Sequence, residues 1–102
     1  PVLEISGATA THNGSKVDVT VIIRNSGDAV AQAVMIGTKK EATIDGKATH
    51  EHPPVVLGNI APSGTATAML TFSGVKAGTR TLQVSLKYTG GTTTLSTQVL
   101  VP

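Results

Sequence analysis

KVDVTVIIRNSGDAVAQAVMI, residues 16–36, decides the fold. Its first half alternates, with Val17, Val19, Val21 and Ile23 on one face and Asp18, Thr20 and Arg24 on the other. Period two marks a strand with one side in a core and one in water. The run breaks at Asn25-Ser26-Gly27-Asp28 and restarts on small residues. The second half holds the nearest approach to helical spacing in the chain, through Ala29, Ala31 and Ala33. It lies between strand-like segments in a chain with no other helix signal, so it reads as a strand. NSGD is then the corner between two strands. Turn chemistry accounts for its members: the Asn25 side chain reaches the backbone two residues on, Gly27 supplies a positive φ, and Asp28 bonds a nearby amide. Loops also carry function, so Asp28 is a candidate binding residue.

The alternation recurs downstream. TATAMLTFS sets Ala66, Ala68, Leu70 and Phe72 against Thr65, Thr67 and Thr71. TLQVSLKY sets Leu82, Val84, Leu86 and Tyr88 against Gln83, Ser85 and Lys87, and TLSTQVLV aligns Leu95, Val99 and Val101, with Thr97 among them. Asn13-Gly14, Asp45-Gly46 and Gly90-Gly91 separate such runs and supply the positive φ of tight hairpins. Pro62-Ser63-Gly64 is a further turn. Pro53-Pro54 has no backbone donors and marks an edge or a crossing between sheets.

The segments predicted are 2–10, 16–24, 29–37, 40–44, 47–51, 55–60, 65–73, 80–89 and 93–101, of which seven or eight are expected as true strands. Short strands with turns about every ten residues predict an all-β, immunoglobulin-like antiparallel β-sandwich, with 1–102 as a single domain. Its predicted core is Leu3, Ile5, Val19, Val21, Ile23, Val34, Ile36, Leu70, Phe72, Leu82, Val84, Leu86 and Val99.

Composition narrows the function. The chain of 102 residues is 39% hydrophobic and 14% charged, and its only aromatics are Phe72 and Tyr88. The core must therefore be built from Val, Ile, Leu and Ala. The absence of cysteine excludes a disulfide framework, a thiolate metal site and a Cys nucleophile. No apolar run approaches the roughly 20 residues of a membrane helix, so no membrane insertion is expected. There is no basic-plus-apolar signal segment either. Each end is a strand flanked by proline, which reads as a module cut from a longer multidomain chain, with neighbouring domains as its first partners. The net charge is +2 and the pI about 9.3, a small basic excess without a basic face. Only Lys39-Lys40 are adjacent and no aromatics interleave the cations, so nucleic acid is not an expected partner.

Three stretches carry a resemblance. VTVIIRNSGDAVAQAVMI resembles the second-to-third strand region of bacterial immunoglobulin-like domains of the cell-adhesion-related (CARDB-like) group, where an Asn-x-Gly turn links two strands. LGNIAPSGTATAMLTF resembles that group's Leu/Ile-x-Pro-x-Gly turn before a Thr-rich strand. AGTRTLQVSL resembles the Ala-Gly-Thr entry to the penultimate strand, shared with fibronectin type III-like modules. The resemblance covers roughly residues 19 to 86. It departs from immunoglobulin relatives in lacking a core Trp, a disulfide and a tyrosine corner. It implies a non-catalytic spacer or adhesion module on a secreted or cell-surface bacterial protein, a monomer with a possible protein or glycan ligand, no cofactor and no catalytic residues. The alternative is an accessory carbohydrate-binding module attached to a secreted hydrolase.

Site candidates are few. In THEHPP, His50 and His52 point to one face if the strand runs through residue 52, and two imidazoles at i and i+2 can share a metal. Further ligands would have to come from His12, Asp45 or Glu41. The competing reading is an edge strand made polar against sheet-to-sheet aggregation, so no metal site is assigned. The six acidic residues are dispersed singly, which disfavours calcium. No Gly-x-Ser-x-Gly elbow marks a nucleophile, and the chain is not read as an enzyme. Tyr88 is the one plausible ring on which a sugar could stack, so it is a second candidate binding residue.

Overall fold

The computed structural model describes residues 1–47, 49–51 and 53–102. In chain order the strands are β1 (Leu3–Asn13), β2 (Lys16–Asn25), β3 (Ala31–Ile36), β4 (Ala42–Ile44), β5 (His50–Glu51), β6 (Val55–Ile60), β7 (Thr65–Ser73), β8 (Gly78–Tyr88) and β9 (Gly91–Val101). A short 3-10 turn, Lys39–Glu41, joins β3 to β4. Residues 28–37 hold no helix, as the position of that segment between strands predicts.

Two antiparallel sheets pack face to face. The first has the order β1-β2-β7-β5; in the second β8 is flanked by β9 on one side and by β3 and β4 on the other, with β6 on the far edge of β3. Four strands in one sheet and five in the other make a sandwich of the immunoglobulin kind, with β4 and β6 additional to its four-plus-three arrangement. Nine strands are found among the described residues where seven or eight were expected. The surplus comes from the middle of the chain, where β4 has three residues and β5 only two. Both pieces are too short for any periodicity to separate them from turns.

The turns explain the register. Asp45 (φ 52°) and Gly46 (φ 79°) are both left-handed and are closed by the Ile44–Lys47 bridge, the backbone a two-residue hairpin of this twist requires. The last hairpin sits one residue earlier than Gly90-Gly91 suggests. Tyr88 pairs with Gly91, so Thr89-Gly90 forms the loop. Pro53-Pro54, joined by a cis peptide bond, lies between β5 in the first sheet and β6 in the second, so it marks a crossing.

The core fills the space between the sheets. Every predicted core residue except Ile5 is buried. Ile5 is half-buried because the β1–β2 register shifts between Ile5 and Gly7, and such a bulge re-aims a side chain. Ile44, Ile60 and Val101 join the core, with Phe72 its only aromatic. The body measures 39 × 21 × 19 Å.

Candidate functional site

The NSGD corner is built around a buried side chain. Asn25 is fully enclosed. Its Oδ1 accepts from the Val2 amide (3.2 Å) and from the Gly27 amide (3.0 Å). Its Nδ2 donates to the carbonyls of Ala29 (2.7 Å) and Ile60 (3.0 Å). Two lone pairs and two N–H bonds are all that a carboxamide has, and all are used. The Asn25 backbone is equally committed, donating to the Gly64 carbonyl (3.0 Å) and accepting from Ser63 (2.8 Å). One residue therefore ties the lead into β1, the lead into β3, the end of β6 and the turn before β7. The predicted bond from Asn25 to the backbone two residues on is the one to Gly27.

Gly27 is needed, though not for a positive φ. It is absent from the left-handed residues, and the expectation is corrected on that point. A Cβ there would lie 2.7 Å from the Val2 nitrogen and 3.1 Å from two Pro1 atoms. The N-terminal backbone passes directly over it, held by the Ser26 amide on the Val2 carbonyl (2.8 Å). Asp28 is exposed and, among the described residues, makes neither a hydrogen bond nor an ion pair, so the predicted bond to a nearby amide is not formed. Gly27→Val should accordingly cost about 1–3 kcal/mol, the usual penalty for forcing atoms into filled space. Asp28→Ala should leave stability within about 0.5 kcal/mol. Urea unfolding of both variants checks the contrast, and equal losses would contradict it.

β5 is the edge strand of the first sheet, as the competing reading expects, but His50 does not make that edge polar. It is buried opposite Phe72, with ring centroids 5.6 Å apart and planes tilted by 42°. Strand alternation sends its neighbour Glu51 the other way, to an ion pair with Lys16 at 2.8 Å. The candidate partners are elsewhere. The His12 ring meets the Pro102 carbonyl, Asp45 contacts Arg80, and Glu41 accepts from Thr38 and faces Lys87 at 3.4 Å. Among the described residues no three His, Asp or Glu side chains come together as a metal would need. His52 lies outside the described residues.

Tyr88 is half-buried and packs against the core. Its ring also lies over Gly91, where a Cβ would meet the phenol oxygen at 3.0 Å and Cζ at 3.1 Å. The ring thus covers a glycine in the neighbouring strand.

Sequence reasoning gave no prominence to the residues that do converge, at the opposite end of the sandwich from the corner. The Asp45 carboxylate accepts from the Thr81 amide at 3.0 Å and meets Arg80 Nη1 at 3.4 Å. Arg80 also donates to the carbonyls of Lys76 (3.1 Å) and Ala77 (2.7 Å), fastening the β7–β8 loop to the Asp45-Gly46 hairpin. The ion pair is partly exposed and contributes at most about 1 kcal/mol. Beside it opens a cleft of about 170 Å³, lined by residues that include Asp45, Lys47, Thr49, Val75, Lys76 and Arg80. Asp45 and Arg80 are 35 positions apart in the chain, and no motif joins the two. The Asp-Gly turn signal alone pointed to this end. No protein-family model matches the chain, and no curated protein does.

Proposed function

We propose that the chain is a non-catalytic immunoglobulin-like module of a secreted or cell-surface bacterial protein, serving as a spacer or adhesion and interaction domain and acting as a monomer. The observation that carries this reading is the path of the first and last strands. β1 starts beside the Asn25 corner, and β9 finishes at the other end, where His12 at the far end of β1 meets Pro102. The 11 residues of β1 span about 35 Å at 3.2–3.4 Å per residue, most of the 39 Å long axis. A module entered at one end and left at the other adds nearly its full length to a string of domains. The resemblance to CARDB-like domains supports the same reading.

Two copies joined directly, Pro102 to Pro1, test it by small-angle scattering. The maximum dimension should come close to twice the 39 Å of one module. A compact particle with the two copies side by side would overturn the spacer role.

A further inference from the structure

We infer that the cleft beside the Asp45–Arg80 contact binds a small oxyanion: a phosphate, sulfate or carboxylate group. Three parts of the chain supply its walls, namely Lys47 of the hairpin, Thr49 on the approach to β5, and Lys76 in the β7–β8 loop. Arg80 and Asp45 answer each other's charge. Lys47 and Lys76 make no ion pair among the described residues. Three cations against one carboxylate leave an excess of two positive charges around one cleft, as large as the excess of the whole chain.

The second observation does not depend on charge. Thr49 Oγ1 is buried, belongs to a residue lining the cleft, and among the described residues has no hydrogen-bond partner. Buried hydroxyls are nearly always bonded, and one without a partner calls for an acceptor. An anionic oxygen held between two ammonium groups is such an acceptor, and charge-assisted bonds of this kind are the stronger class. Volume limits the ligand. About 170 Å³ is well below the roughly 300–1,000 Å³ of pockets for larger molecules. One charged group fits there, either as a free anion or as a substituent on a polymer whose chain stays outside.

Amide chemical shifts of the intact chain, followed during titration with sodium phosphate against sodium chloride at matched ionic strength, test the inference. Phosphate should shift the amides of Thr49, Val75 and Lys76 saturably, and chloride should not. The Lys47→Gln/Lys76→Gln double variant, altered only at exposed positions, should bind about tenfold or more weakly, given the strength of hydrogen bonds to charged groups. Thr49→Val should weaken binding while leaving the lysines in place. A second arm uses dextran sulfate. Tighter binding at the same amides identifies the polymer substituent as the source, and binding of phosphate alone identifies the free anion. No saturable shift with either ligand would overturn the inference, as would shifts that persist unchanged in the double variant.

Discussion

Val84→Asp should leave the chain without a cooperative unfolding transition. Val84 is fully buried on β8, between Ala42 of β4 and Leu95 of β9 in the register. A carboxylate there would have to be desolvated with no partner, or be protonated at a cost of similar size. Such changes exceed about 4–5 kcal/mol, against a total stability of about 5–15 kcal/mol for a domain. The control is one residue away. Gln83 is exposed on the outer face of the same strand, and Gln83→Asp should change stability by no more than about 0.5 kcal/mol. Circular dichroism with urea titration reads both. Since a slip of one residue exchanges the faces of a strand, a folded Val84→Asp beside an unfolded Gln83→Asp would show that the register assigned to β8 is wrong.

Asn25→Ala should be the costliest change at the corner, about 3–5 kcal/mol. Truncation removes one buried side chain and strands four backbone groups: the amides of Val2 and Gly27 and the carbonyls of Ala29 and Ile60. Each buried group left without a partner costs about 1–3 kcal/mol, reduced wherever water can enter. Asn25→Asp separates packing from hydrogen bonding. The shape is kept and the two accepting bonds survive, but a carboxylate then faces two carbonyl oxygens where an NH₂ had donated. It should be at least as damaging as alanine. An Asn25→Asp variant of near-normal stability would mean that the carboxamide fills space and does little else.

The fold was legible because alternation reports it directly. The faces read from residues 16–24, 65–73 and 80–89 are the faces the core uses, and a donorless Pro53-Pro54 pair does sit at a sheet crossing. Three of the misreadings share a physical cause. Each concerns a residue whose environment is made by chain distant in sequence. Asn25 looks like ordinary turn chemistry until the Ile60 carbonyl, 35 positions on, is brought to its amide. Gly27 looks like a residue chosen for φ, whereas the constraint is the N-terminal backbone lying across it. His50 looks like edge polarity, yet the pairing of β5 with β7 sets it against Phe72. The cleft was the least legible feature. Its cations, Lys47, Lys76 and Arg80, come from a hairpin, a loop and the strand that follows it, and no spacing rule joins them.

The central claim is that the NSGD corner is a structural fastening in which Asn25 holds both sheets and the N-terminal strand. Hydrogen exchange at the Gly27 amide tests it most directly. That amide lies in a loop, but it is bonded to the buried Asn25 Oδ1 at 3.0 Å. Loop amides ordinarily exchange through cheap local openings, whereas core amides need opening close to global unfolding. The account predicts that the Gly27 amide exchanges as slowly as those of Val21 and Ile23 in β2. Exchange at the rate of an exposed loop amide, with β2 still protected, would contradict it.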